Sequence, residues 1–306
     1  MFLPKATMSK KLHERVLRHC RDAQTQTAIP HLILTRSQAT RGLSSAIYMP
    51  LLCVLTSGAK RLVLGRQEFR YDVDHFIIAS ADLPVRAQVL EPCSAMTLAL
   101  DPKIVAEMMV ALPTSPIRET TPIALAVSPL DPDLMDALER LVAVLDRPAD
   151  IAVLAELIER EIVYRLLLGP QGEMLRQMAA PTSNLAHINR AIAMIRERYD
   201  EKVRIDELAR AAGMSVTSFH RHFRAATNMS PLQFHKRIRL HEARRLLLSS
   251  AADAARVSLD VGYESASQFN REYRRLFGTP PARDAAQVRT RSKRGDTVAE
   301  TPTPVS

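Results

Sequence analysis

Within "VGYESASQFNREYRRLFGTPP", residues 261 to 281, Ser267, Gln268 and Arg271 fall within one and a half turns of a predicted helix. Phe269 and Tyr273, four residues apart, occupy another side of it and predict burial there. The open side carries hydrogen-bonding groups of the kind that meet base edges. Arginine pairs bidentately with guanine O6 and N7, and glutamine can do the same to adenine. Ahead of this helix, Gly262 predicts a tight turn, and residues 253 to 260 predict a short partner helix. Two short helices joined by a glycine turn form the helix-turn-helix arrangement, whose second helix enters the major groove.

The same device stands 49 residues upstream, from Gly262 back to Gly213. "VRIDELARAAGMSVTSFHRHFRAATN" (203 to 228) predicts a helix from about Asp206 to Ala212, a turn at Gly213 and Met214, and a second helix capped by Ser215. Phe219 and Phe223 repeat the aromatic spacing, which leaves Thr217, Ser218, His220, Arg221 and Arg224 on the remaining surface. Between the units, Ser230 and Pro231 open a connecting helix of roughly five turns. Its length suits two reading helices in successive major grooves, roughly 34 Å apart.

No competing chemistry is legible. The chain has no Gly-rich phosphate loop and no GxSxG nucleophile, so no catalytic residue and no cofactor are expected. His31 and His75, the latter in "DVDHF", each stand alone, and no metal site is expected. On a helix His220 and His222 diverge, and His222 reads as a surface histidine. The isolated Cys20, Cys53 and Cys93 read as buried, reduced thiols of a cytoplasmic protein. No apolar run is long enough to span a membrane.

Charge divides the 306 residues. The net +9 is concentrated in residues 184 to 290, with 19 Lys+Arg against 11 Asp+Glu; residues 1 to 183 balance at 20 against 20. A neutral half joined to a basic one predicts a sensing or assembly domain beside a polyanion-binding domain. We therefore expect an α+β chain with domains at 1–183 and 184–285, a linker "APTSN" between them, and a disordered tail over 286–306. Residues 29 to 100 break into short Val-, Ile- and Leu-rich segments, which predict a small antiparallel barrel or double sheet. From Asp101 the period becomes helical, with Asp-Pro helix starts at 101 and 131. "LMDALERLVAVL" and "IAVLAELIEREIVYRLLL" carry more apolar surface than one face requires. Ile151, Leu154, Leu157, Ile158, Ile162, Leu166 and Leu167 fill one side of the second, and Val153, Val163 and Leu168 extend it. The excess predicts a homodimer.

Residues 184 to 285 resemble the DNA-binding domain of the AraC/XylS family of bacterial transcription regulators, through "VGYESASQFNREYRRLFGTPP" and "IDELARAAGMSVTSFHRHFR". "MPLLCVLTSGAKRLVLG" and "FRYDVDHFIIASADLPV" are similar to that family's cupin-like N-terminal barrel. The resemblance implies promoter DNA and RNA polymerase as partners, no membrane, and often a small-molecule effector held in the barrel. It also implies that Thr217, His220, Arg221, Ser267, Gln268 and Arg271 face bases. Ser215, Arg224, Lys236, Ser265, Asn270, Arg274 and Arg275 would position the DNA backbone. Ala266 beside Ser267 departs from the pattern, so the second helix should discriminate less than the first. An enzyme with a DNA-binding appendage and a ligand-independent regulator, whose N-terminal domain only dimerises, are the rival readings.

Overall fold

A computed structural model describes residues 10–112, 121–249 and 253–293 of the chain. The first half opens with α1 (Lys10–His19), followed by β1 (Gln24–Gln26), β2 (Leu32–Ser37), β3 (Ser44–Tyr48), β4 (Leu51–Leu64), β5 (Gln67–Asp72), β6 (His75–Ala79) and β7 (Leu83–Ala99). With β8 (Leu125–Pro129) these strands form one antiparallel sheet in the order β1-β2-β7-β4-β6-β8, with β3 on β7 and β5 on β4. The long β4–β7 pair is its spine. The N-terminal part of β4 shares an edge with β6 and the C-terminal part with β5, while β7 carries β2 and β3 in the same way. Register shifts between Leu55 and Lys60 bend the spine where these partners change. Pairing leaves β1 and β8 as the ends of the path, so the barrel-like double sheet is open between them.

Two departures from the sequence reading have local causes. "KRLVLG" is the end of β4 rather than a separate strand, because Ser57 and Gly58 make a bulge instead of a turn. β8 interrupts a region read as helical; five residues ending at Pro129 are too few to display a period, and proline suits a strand's edge.

Helices α2 (Pro102–Val110) and α3 (Pro132–Ala143) begin as expected. The Asp101 and Asp131 carboxylates accept from the Lys103 and Leu134 amides at 2.8 and 2.9 Å. The helix expected over "ADIAVLAELIEREIVYRLLLG" runs without interruption from Ile151 to Leu168 and stops at Gly169, but its first turn is π rather than α. Two 3₁₀ turns (144–150, around Pro148) and a π turn (Ile151–Ala155) precede α4 (Glu156–Leu168), and α5 (Gly172–Ala179) follows. Ile158, Ile162, Val163, Leu166 and Leu167 point inward. Leu154 and Leu157, expected on that side, instead join Val153 and Leu168 on the exposed face; the π turn rotates Leu154 out of register with α4.

The rest is helical: α6 (Asn184–Glu197), α7 (Ile205–Ala211), α8 (Val216–Thr227), α9 (Pro231–Ser249), α10 (Ala254–Asp260), α11 (Ala266–Phe277) and α12 (Pro281–Lys293). The tail expected to be disordered from 286 is helical through Lys293; Pro281 at the first helical position starts α12. Its remainder lies outside the described residues. Burial is continuous from the sheet through α4 to α6 into Phe219, Phe223, Phe234 and Ile238, whereas Leu247, Val257, Phe269 and Tyr273 belong to a separate small core.

Candidate nucleic-acid interface

The first unit is α7, a turn at Gly213 (φ +62°), and α8. Ser215 Oγ accepts from the Ser218 amide at 3.3 Å, and Asn228 in the left-handed region closes the helix. Phe219 and Phe223 are fully buried with ring centroids 5.4 Å apart, and Phe223 meets Phe234 of α9 edge-on at the same distance. This burial fixes the helix rotation. Thr217, His220, Arg221 and Arg224 are consequently exposed.

In the second unit, α10 and α11 flank Gly262 (φ +80°). A Cβ at this position would overlap the Asp200 carbonyl, so only glycine fits the turn. Arg239 of α9 secures the region by donating to the carbonyls of Tyr199, Asp200, Glu201 and Gly262 at 2.7 to 3.0 Å. Ser265 Oγ accepts from the Gln268 amide at 3.4 Å; like Ser215, it keeps a hydroxyl proton free to donate. Phe269 and Tyr273 are fully buried, and the Tyr273 hydroxyl donates to Asp284 Oδ2 at 2.8 Å. Arg244 of α9 donates to the same carboxylate at 2.8 Å and lies 5.1 Å from the Phe277 ring centroid. It is structural. Ser267, Asn270, Arg271, Arg274 and Arg275 are exposed.

Gln268 differs from its expected partners on this face. It is half-buried, and its amide donates to Glu272 Oε1 at 3.2 Å. Lys236 donates to the same oxygen at 2.9 Å, and the Tyr263 hydroxyl donates to Oε2 at 2.9 Å. Burial alone would raise the Glu272 carboxyl; these three donors hold it below the ordinary carboxylate range. Two prospective DNA contacts are thus tethered by a carboxylate that the sequence reading passed over. The signal was available: Glu272 lies four residues from Gln268 on one helix face.

His222 also departs from the sequence reading. It is half-buried and bridges domains, with Nδ1 2.6 Å from Thr121 Oγ1 and Nε2 3.2 Å from Arg221 Nη2. A guanidinium only donates, so Nε2 must accept and Nδ1 carries the proton to Thr121. Burial and then Arg221 lower the His222 pKa. Around it the sheet domain holds α8 by further bonds. The Ala124 amide donates to the Ala226 carbonyl at 2.9 Å, and Asn228 donates to Gln67 at 2.9 Å. The β4–β5 turn presses on the helix end so closely that a Cβ on Gly65 would overlap the Asn228 carbonyl.

Elsewhere His75 bonds Asp72 at 2.7 Å and His31 lies 3.7 Å from Glu159. All three cysteines are buried free thiols. No helix among the described residues is long and apolar enough to cross a membrane.

Two family descriptions match the chain: "AraC-type transcriptional regulator N-terminus" over residues 28–174 and "Helix-turn-helix domain" over 208–287. It is 26% identical over 219 residues to the virulence regulon transcriptional activator VirF of Yersinia enterocolitica, which spans 69% of this chain and 80% of VirF. It is 30% identical over 161 residues to ExsA of Pseudomonas aeruginosa, an HTH-type transcriptional regulator, covering 53% of this chain and 56% of ExsA. The fold is similar to that of ToxT from Vibrio cholerae at TM-score 0.56 and 10% identity, over 83% of this chain and 94% of ToxT. With two capped glycine-turn units exposing a basic face behind an antiparallel sheet domain, the chain belongs to the AraC family of DNA-binding transcriptional regulators.

Proposed function

We propose that the chain is a promoter-binding regulator whose N-terminal domain, on taking up a small-molecule effector, adjusts the seat of the first reading helix. The observation that carries this reading is the set of bonds from Thr121, Ala124 and Gln67 onto α8. A domain that only dimerised would not need to hold the C-terminal half of that helix, from His222 to Asn228. ToxT, which shares the fold, has been solved with an unsaturated fatty acid bound. In this reading Thr217, His220, Arg221, Ser267, Gln268 and Arg271 meet bases. Ser215, Arg224, Lys236, Ser265, Asn270, Arg274 and Arg275 meet phosphates. The exposed Val153, Leu157 and Leu168, at 63%, 58% and 61%, pair α4 with its copy in a homodimer. RNA polymerase recruitment in the cytoplasm, with no catalytic step, belongs to the same proposal.

Selection of bound duplexes from a random pool, using the purified full chain, tests it. A defined motif should emerge, and its affinity should fall steeply with salt because phosphate neutralisation supplies much of the binding. Recovery of no motif, or salt-insensitive binding, would reject sequence-specific recognition.

A further inference from the structure

Between the sheet and the helical domain lies a cleft of about 620 Å³ with an unusual lining. Arg66 at the β4–β5 turn and Arg86 on β7 face Arg224 of α8, Lys236 and Arg237 of α9, and Arg275 of α11. The only carboxylate in the lining is Glu272, already bonded to Lys236, Gln268 and Tyr263. Among the described residues, the five arginines have no carboxylate within ion-pair distance. Arg86 Nε is buried with no hydrogen-bond acceptor. Among the described residues Arg237 bonds only the Pro84 carbonyl, at 3.2 Å. Burial and the charge of Arg86 both lower the Arg237 pKa, so each disfavours its charged form. Cations brought together from two domains at this density repel one another, and the cleft is wide enough for a bound counter-charge.

We infer that this cleft binds a small, multiply charged anion that bridges Arg66 and Arg86 of the sheet domain to Arg224, Lys236, Arg237 and Arg275 of the helical domain. The inference rests on the effector-responsive reading and gives that effector a place and a chemical class. Met229, Leu240 and Leu276 are the only large apolar side chains in the lining. The site therefore fits a phosphorylated or polycarboxylate molecule better than an apolar acid. Guanidinium forks suit such oxyanions through paired charge-assisted hydrogen bonds. Because Arg224, Lys236 and Arg275 are also the proposed phosphate contacts for DNA, an occupied cleft withdraws them from the duplex. The anion therefore acts against DNA binding.

Titration calorimetry of the full chain with tripolyphosphate, and separately with citrate, tests the site. We expect saturable binding at one anion per chain, weakened about tenfold or more in both Arg66→Gln and Arg86→Gln, as loss of a charge-assisted contact implies. Arg210→Gln, an exposed cation on α7 outside the cleft, should bind like the parent chain. Arg66 is exposed, so its variant should keep the parent melting temperature even if Arg86→Gln does not. Absence of saturable binding by either probe overturns the proposal, as does equal weakening by Arg210→Gln. Weaker duplex binding by Arg66→Gln, with probe binding unaffected, overturns it too and assigns the cleft to DNA phosphate. Cleft-dependent binding of the anion with unchanged duplex affinity upholds the site and sinks the effector reading instead. Cleft-dependent binding that lowers duplex affinity supports both.

Discussion

The two helix-turn-helix units share one plan and differ in what they lean on. In the first, Phe219 and Phe223 continue the apolar core that begins in the sheet, and polar bonds from Thr121, Ala124 and Gln67 reach the outer turns of α8. In the second, Phe269 and Tyr273 sit in a small core closed by α9, α10 and α12, and the main contact of the sheet domain with α11 is at β3. The same local signal thus yields a reader coupled to the N-terminal domain and a nearly self-contained one. Aromatic spacing sets the fold of each unit; the surroundings set its mechanical role.

The sharpest way to break the comparison is to empty each aromatic site. Phe223→Ala and Phe269→Ala should each cost about 3 to 5 kcal/mol, the usual loss for deleting a buried phenyl ring. Their reach should differ. Phe223→Ala should lower the single melting transition of the whole chain, while Phe269→Ala should loosen α10 to α12 and leave the sheet protected in hydrogen exchange. Equal loss of sheet protection in both would erase the distinction.

This difference could not be read from sequence, whereas the units themselves could. Gly213, Gly262, Ser215, Ser265 and the four aromatics are short-range signals, and each occupies the turn, cap or buried position its spacing predicts. The sheet was legible as strands, but β8 and the joining of "KRLVLG" to β4 depend on pairing with distant residues. So do the fates of His222 and Arg244. Their partners, Thr121 and Asp284, lie 101 and 40 residues away. Arg86 and Arg237 face one cleft only because the domains meet there.

A second test separates base from phosphate contacts. Arg221→Ala should cost about 1 to 3 kcal/mol and relax preference at one base position, whereas Arg274→Ala should weaken all duplexes alike. Competition assays against single-position variants of the selected motif would resolve this. A changed motif with Arg274→Ala would exchange the two roles.

Acidification probes α9, the element both units share. His235 is buried and bonds the Tyr199 carbonyl at 2.7 Å; burial, then Arg239, push its pKa down to about 4. A depressed folded pKa means the unfolded chain takes up the proton first as pH falls from about 6.5, so stability is full above that value and declines toward pH 4. From pH 7 to 5 the loss should be about 2 kcal/mol for this group. His241 acts in the same direction. It retains some exposed surface but is hemmed in against Phe277 and Ser45, and burial, then Arg244 and Arg237, push it to about 3. Chemical denaturation across this range should show the slope in the parent chain and a shallower one in His235→Gln. An equal slope in both would place the acid sensitivity elsewhere.

The smallest expected effect concerns a single hydroxyl. If α8 is held by the N-terminal domain as a working link, Thr121 is where that link reaches a side chain proposed to read a base. Its Oγ1 accepts the His222 Nδ1 proton, and this tautomer leaves Nε2 as the acceptor that steadies Arg221. Thr121→Val preserves shape and removes the acceptor, so the imidazole loses its reason to keep the proton on Nδ1. Stability should fall by about 1 kcal/mol, the ordinary worth of one such bond. Preference at the position proposed for Arg221 should fall a few-fold while overall affinity for random duplexes stays level, because Arg224 and the other proposed phosphate contacts are untouched. Thr121→Ser, which keeps the hydroxyl, should restore that preference. Failure of serine to restore it would mean that packing by the threonine methyl, and not the bond to His222, carries the connection.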